Sequence, residues 1–433
     1  MTKLKKMMRK NGDMLLIFDL DGTIFKTKDT IFPAVREVLR DIGHENDIED
    51  LIESLIGEKT SDFCEMIKPD DIDMEEFIDK LWEKEKEYID KKGKLYHGIR
   101  DVLEELSSKN IDMFICSNAN RDYIRYVMDR FEISECFSSI ISGKDFEDKI
   151  SAVRSLISNH ENNFGIVIGD RYKDKKAAEK NDLLFLGALY GYGRSELEDA
   201  YFTIKEPKEI LGHVNLFEIF HTIEKDYESL DQEKITVIGV NGIDNSGKTI
   251  FAESLAKYLI CRGYSTKMIS IDDFHNPREI RRKGKNPIDA YLENAFDIER
   301  LEQEILYPIS KNEEIDKELK LLNLKTDMYD IKKEYEINKN DVVIIEGVLL
   351  YKKPVEKYID YKIYLDIDFE TMIKRAKERD KNRFNDNVIK RYKEKYIPIQ
   401  KKYIEVYNPK NKSDIVINNN DVEDPKIIEY RGK

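Results

Sequence analysis

At 433 residues the chain is too long for one ordinary hydrophobic core, so two or three domains are expected. Its 73 basic and 87 acidic residues leave a net charge of −14, which argues against a partner as electronegative as a long nucleic acid, while a 40% apolar content is that of folded domains. No run reaches the roughly 18 apolar residues that would span a bilayer, the basic start MTKLKKMMRKNGD leads into a short strand rather than a signal-peptide core, and the dispersed Cys64, Cys116, Cys136 and Cys261 lack CxxC spacing; a cytoplasmic chain with reduced thiols is expected, and a zinc hydrolase is not.

The segment MLLIFDL (14–20) is a short apolar run ending in DGT, the pattern of a buried parallel strand that delivers polar residues at its C-terminal end. Apolar positions then recur at helical spacing in 34–42, 48–56 and 74–89, which predicts a small helical insertion over 25–93. Within it Met74, Trp82 and Tyr88 read as helix-packing core rather than substrate contacts. Further strands are expected at 111–118, 137–143, 163–170 and 183–193, separated by helical patterns, so residues 1–24 and 94–204 read as a doubly wound α/β core. Ligands bind at the carboxyl ends of such strands.

At those ends stand the residues that carry chemistry. Asp19 and Asp21 flank Leu20, so their side chains point the same way if the strand stays extended, and two carboxylates in one small volume call for a cation such as Mg²⁺. Ser117 and Asn118 follow the second strand and can hold phosphoryl oxygens. Lys149 opens a helix and can supply positive charge, with Lys144 as its rival; Asp170 and Asp174 follow the fourth strand and can coordinate or orient the metal. This set in this order resembles the haloacid-dehalogenase-like phosphatases, most of all the phosphoglycolate-phosphatase type with a helical cap. The resemblance implies Asp19 as nucleophile, Asp21 as general acid then base, Thr23 and Ser117 as phosphate-binding hydroxyls and Lys149 as the stabilising cation. It further implies Asp170, the Asp19 carboxylate and the Asp21 backbone carbonyl as Mg²⁺ ligands, with Asp174 the second acid of the fourth motif.

Residues 205–232, with Pro207, a helix-like stretch and a polar end, read as a linker. A new α/β pattern occupies 233–433, with strands expected at 234–242, 265–273, 341–350, 361–368 and 414–419 and a charged surface excursion over 306–338. GIDNSGKT (242–249) sits between an apolar strand and a helical pattern, the context in which a glycine-lined loop cradles nucleotide phosphates. Gly242 and Gly247 allow close approach, Asn245 and Ser246 complete the loop, Lys248 can reach β and γ oxygens, and Thr249 can ligate Mg²⁺. Asp272, Asp273 and Glu346 lie at strand ends where they suit metal organisation or hydroxyl activation. Arg375, Arg379 and Arg383, four apart, can form a lid over transferring phosphates or one face of a charged exposed helix.

This half resembles the uridine-kinase-like branch of the P-loop kinases, through GIDNSGKT, SIDDFHNPREIRRKGK, IIEGVLL and RAKERD. The resemblance implies ATP or GTP as phosphoryl donor, Lys248 and Thr249 as phosphate and metal residues, Asp273 as general base or orienter, Arg379 and Arg383 as lid residues, and His275, Arg278 and Tyr291 as acceptor contacts. His275 has an equal claim to a structural role. The expectation for the whole chain is two doubly wound parallel-sheet domains in tandem, the first with a small helical cap and the second with a P-loop NTPase fold. One would hydrolyse a small phosphomonoester with Mg²⁺; the other would phosphorylate a nucleoside or sugar hydroxyl. Nucleic-acid end healing and a regulatory protein with degenerate sites are the alternatives; neither substrate identity nor oligomeric state follows from the sequence.

Overall fold

A computed structural model describes residues 14–44, 48–158, 160, 164–379 and 386–432, and structural statements below concern these. The chain divides into two compact units, 1–213 and 214–433, each with its own sheet.

In the first unit the strands are β1 (Met14–Phe18), β2 (Asp112–Ser117), β3 (Ser139–Ser142), β4 (Phe164–Gly169), β5 (Leu184–Ala188) and β6 (Thr203–Ile204). They form a parallel sheet ordered β3-β2-β1-β4-β5-β6. β1 and β4 are buried along their whole length, which explains why both read as unbroken apolar runs. The order reverses beside β1, the place where an open α/β sheet leaves a crevice at its carboxyl edge. Between β1 and β2 the helices Lys28–Asp41, Glu49–Leu55, Thr60–Ile67 and Met74–Lys92 build a separate small core that includes Val35, Ile52, Phe63 and Phe77. Met74 and Tyr88 pack against that core, and Tyr88 also donates to Glu37 at 2.8 Å.

Most of the segment read as a linker is one helix, Glu209–Glu228, and the division between units falls inside it. From Val214 onward it is part of the second unit. Val214, Phe217, Phe220, Ile223 and Tyr227 are all buried, and Phe220 meets Phe251 and Tyr258 at ring separations of 5.2 and 5.4 Å. Polar anchors add to this packing: Glu224 accepts from Tyr258 (2.5 Å) and Arg262 (2.9 Å), and Asp226 from Tyr361 and Tyr430 (both 2.7 Å).

The second unit contains β7 (Thr236–Gly242), β8 (Thr266–Ser270), β9 (Ile315–Asn323), β10 (Met328–Ile337), β11 (Val342–Gly347), β12 (Tyr361–Asp366), β13 (Ile415–Asn418) and β14 (Lys426–Tyr430). Its main sheet runs β14-β13-β12-β7-β11-β8, parallel except for the terminal β14, which the sequence reading did not anticipate. Most of the charged excursion is an antiparallel hairpin of β9 and β10, whose register shifts between Met328 and Ile331. One of its faces, including Ile315, Leu319, Leu321 and Tyr335, joins the unit's core, so its alternating charges are the outer face of a half-buried ribbon. Among the described residues no helix is long and apolar enough to cross a membrane.

Candidate functional sites

At the carboxyl edge of the first sheet, Asp19 follows β1, Asp170 follows β4, and Asp174 opens the first turn of helix Tyr172–Glu179. One carboxylate oxygen from each lies within 4.8 Å of the others, and all three residues are buried. Lys149 Nζ donates to Asp19 Oδ1 at 2.6 Å and pairs with Asp174, whereas Lys144 is solvent-exposed, so geometry separates the two lysines that sequence left as rivals. Three glycines leave room for this cluster. A Cβ on Gly22, which has a φ of +84°, would lie 2.3 Å from Asp170 Oδ2, and Cβ atoms on Gly191 and Gly169 would collide with Asp170 and Asp174.

Three buried carboxylates against one ammonium leave negative charge uncompensated. Burial pushes Asp19 well above its ordinary value despite Lys149, and burial followed by the Asp174 charge pushes Asp170 up to about 7. On Lys149 burial opposes the charge, but Asp174 and Asp19 outweigh it and raise the ammonium's pKa. An all-oxygen, buried, electron-rich cluster of this kind fits a divalent cation such as Mg²⁺.

Asp21 lies apart from that trio, in a different hydrogen-bond environment. Its Oδ1 accepts from Thr27 (2.5 Å) and Tyr123 (2.7 Å), and its Oδ2 from Ser117 (3.4 Å). Burial raises its pKa, and the Thr27 and Tyr123 hydrogen bonds work against the rise. Thr23 donates to Asp170 at 3.3 Å. The Asn118 amide, expected on a phosphoryl oxygen, instead donates to Gly57 O in the helical insertion at 2.8 Å, because the chain turns there toward the cap. A cavity of about 220 Å³ opens beside Asp21, walled by the insertion and by the residues after β2. Trp82, read as core, lines it.

In the second unit the loop after β7 leads into helix Lys248–Cys261, with Gly247 at φ +89° and Asn245 at φ +57°, a left-handed conformation that asparagine tolerates better than most side chains. The loop is latched from outside. Asn245 Nδ2 donates to Met372 O and Tyr392 Oη (3.2 and 3.1 Å), and Asn419 Nδ2 to Ser246 O (2.7 Å). Arg375, expected in a lid, is part of this latch: its guanidinium donates to the carbonyls of Asn245, Asn419 and Asn420 at 2.6–3.2 Å. Arg379 stands close enough to act on both Lys248 and Asp244. Arg383 lies outside the described residues.

Lys248 is buried and donates to Ile243 O, a carbonyl of its own loop, at 2.8 Å. Burial lowers its pKa, against the pull of Asp244, Glu346 and Asp272. Glu346 joins the strand ends, accepting from Ser270 at 2.6 Å and from Thr249 at 3.3 Å; burial raises its carboxyl.

The adjacent aspartates part company because the chain leaves β8 in a tight turn, Ile271–Phe274, instead of continuing as a strand. Asp273 faces the hairpin, where Lys333 (2.6 Å) and Tyr335 (2.9 Å) hold its carboxylate. Asp272 remains exposed and acts electrostatically on Lys248, Glu346 and Asp244. His275 Nδ1 donates to Asp272 O at 2.8 Å and its ring meets Phe296 edge-on, so it braces that turn. Arg278 is directed to the hairpin's end, bonding Leu324 O at 3.1 Å.

Tyr291 faces the site. Burial, followed by Asp244 and Asp272, raises its hydroxyl, and Lys395 sits 4.4 Å above its ring. Asp244 was missed by the sequence reasoning, although a charge inside the phosphate loop was visible there. Burial raises its carboxyl, opposed by Lys248, and it accepts from Gln400.

A family model for haloacid dehalogenase-like hydrolases matches residues 16–188, and one for the phosphoribulokinase/uridine kinase family matches residues 237–424. The chain is 25% identical over 205 residues to a phosphoglycolate phosphatase of Aquifex aeolicus (strain VF5), covering 46% of this chain and 94% of that protein. It is 29% identical over 197 residues to a uridine kinase of Bacillus velezensis (strain DSM 23117 / BGSC 10A6 / LMG 26770 / FZB42), covering 42% of this chain and 84% of that protein. A solved structure described as a predicted phosphatase from Clostridium acetobutylicum aligns with a TM-score of 0.38 and 23% identity over 45% of this chain and 95% of that one. The chain thus joins an N-terminal domain like the haloacid dehalogenase-like hydrolases to a C-terminal domain like those of the phosphoribulokinase/uridine kinase family.

Proposed function

We propose that the protein is a bifunctional, cytoplasmic small-molecule enzyme with a phosphomonoesterase site in its first unit and a nucleotide-dependent kinase site in its second. The observation that carries the first activity is the buried Asp19–Asp170–Asp174 cluster closed by Lys149. Asp19 attacks phosphorus and forms an acyl-phosphate as the ester P–O bond breaks. Asp21, whose pKa burial raises, gives its proton to the departing alkoxide, then takes one from the water that cleaves the acyl-phosphate, releasing inorganic phosphate and regenerating Asp19. Lys149 and the Ser117 hydroxyl hold the phosphoryl oxygens, and Lys149 holds Asp19 in place for attack. Mg²⁺, held by Asp19, Asp170 and the Asp21 carbonyl with Asp174 behind them, would neutralise charge on the transferring group. A cavity of about 220 Å³ suits a small leaving group better than the end of a nucleic acid.

In the second unit the reading rests on a phosphate loop facing Asp272, Glu346 and Tyr291. Lys248 exchanges the Ile243 carbonyl for the β and γ oxygens of ATP or GTP. Asp272 takes the proton of a nucleoside or sugar hydroxyl as that oxygen attacks the γ phosphorus, and the nucleoside diphosphate leaves. Asp272 replaces Asp273 in this role because Asp273 is held by Lys333 and Tyr335. Arg379 and Lys395 supply positive charge around the transferring group, and Arg375 keeps the loop in shape. Thr249 and Glu346 would hold the metal that accompanies the nucleotide.

Purified full-length protein incubated with p-nitrophenyl phosphate and Mg²⁺, and separately with ATP and a panel of nucleosides and sugars, tests both halves. Phosphate release that EDTA abolishes and nucleoside-diphosphate production that depends on an acceptor are expected. Absence of either under conditions where the protein is folded overturns the corresponding assignment.

A further inference from the structure

The cavity beside Asp21 is unusual in its charge. Five carboxylates line it, those of Asp21, Glu58, Asp79, Glu85 and Asp122, and no lysine, arginine or histidine does. Glu58 is paired outward with Lys173, and Asp79 and Asp122 are exposed at the rim. Glu85 is different: it is 8% exposed, lies on helix Met74–Lys92, and among the described residues has no hydrogen-bond or ion-pair partner. It is close enough to interact electrostatically with Asp21, Cys64 and Tyr123. The remaining wall is apolar and aromatic, with Phe63, Trp82 and Tyr123 among its residues. Lys86, whose ammonium stands 5.2 Å from the Trp82 ring centre, is not part of the lining.

Burial, followed by the Asp21 charge, pushes the unpartnered Glu85 carboxyl up to about 8, and a cationic ligand beside it would draw it back to the carboxylate; aromatic faces attract cations, most strongly those that shed water easily. An anionic leaving group such as glycolate would meet no cationic side chain among the residues that line this cavity. We infer that the phosphatase site takes phosphomonoesters of cationic alcohols, with the substrate's ammonium group between Glu85 and the aromatic wall and its ester oxygen at Asp21. The inference rests on the hydrolase reading above and narrows its substrate class. Asp21 serves the reacting oxygen, Glu85 recognises the far end, and the volume limits the alcohol to a few carbons.

The test compares kcat/KM on phosphocholine, phosphoethanolamine, the uncharged isostere 3,3-dimethylbutyl phosphate and 2-phosphoglycolate, with p-nitrophenyl phosphate as a general reference. Phosphocholine or phosphoethanolamine is expected to exceed the uncharged isostere at least tenfold and 2-phosphoglycolate by more. In Glu85→Gln, checked for folding by circular dichroism, the ratio of cationic to uncharged substrate should fall toward one. Equal turnover of the isostere, a preference for 2-phosphoglycolate, or a ratio unchanged in Glu85→Gln overturns the inference while leaving the hydrolase reading intact. If no ester is hydrolysed, p-nitrophenyl phosphate included, the hydrolase reading itself fails and takes the inference with it.

Discussion

The two sites handle their lysines in opposite ways. In the first unit Lys149 is already bound between Asp19 and Asp174, so the cation, the carboxylate proposed to attack and the oxygens that could hold a metal stand in one joined constellation. In the second, Lys248 is turned back on the carbonyl of Ile243, and Asp272 is exposed. The difference follows from where the negative charge originates. On the proposed mechanism the first unit carries its own nucleophile, an aspartate, whose charge must be balanced before any substrate arrives. The second unit would receive its negative charge with the nucleotide, so on this reading its lysine waits on a weak internal acceptor that phosphate oxygens can displace.

Substitutions can break this contrast at either end. The largest expected effect is at Lys149. Lys149→Ala leaves the buried carboxylates without their ammonium, and thermal or urea unfolding of the first unit should show a loss of about 3–5 kcal/mol in EDTA, together with loss of phosphate release. Lys144→Ala, at the rival position, should change neither. Next comes Asp272→Asn, expected to lower kinase kcat by about 10²–10⁴-fold with the fold unchanged. Asp273→Asn should reduce turnover only a few-fold, and weaken the anchoring of the β9–β10 hairpin by about 1 kcal/mol, read from denaturation midpoints. The reverse order of these two would return the general base to Asp273.

Much of this was legible in the sequence, because both candidate sets ride on short buried strands whose apolar runs and polar ends are local patterns. Asp19, Lys149, Asp170 and Asp174 could be picked out individually, although only the fold shows that Asp174 shares Lys149 with Asp19. What escaped were features set by the direction in which the chain leaves a strand. Two neighbouring aspartates are indistinguishable until a turn after Ser270 sends one to the hairpin and leaves the other exposed. Arg375 looked like a lid residue because helical spacing gives its face but not the carbonyls waiting there. Trp82 and Glu85 lie on one helix with ordinary amphipathic spacing, and nothing local says that they line a cavity rather than pack or face water.

The segment 205–232 sharpens the comparison further, because the helix-like stretch read there as a linker is a helix whose second part is structural in the second unit. Glu224→Ala removes an acceptor shared by Tyr258 and Arg262 and should destabilise the second unit by about 2 kcal/mol, a smaller effect than at Lys149. Calorimetry would register it as a lowered transition for the kinase unit with p-nitrophenyl phosphate hydrolysis retained. A kinase unit begun at residue 233, without this helix, should be less stable than one begun at 209.

The central claim is that one chain carries two chemically independent phosphoryl-transfer sites, and the direct measurement is a crossed assay of full-length Asp19→Asn and Lys248→Ala. Phosphate release and acceptor-dependent nucleotide consumption are followed in each. The account predicts that Asp19→Asn loses phosphate release and keeps kinase turnover, and that Lys248→Ala does the converse. Loss of both activities in either folded variant, or survival of phosphate release in Asp19→Asn, would contradict it.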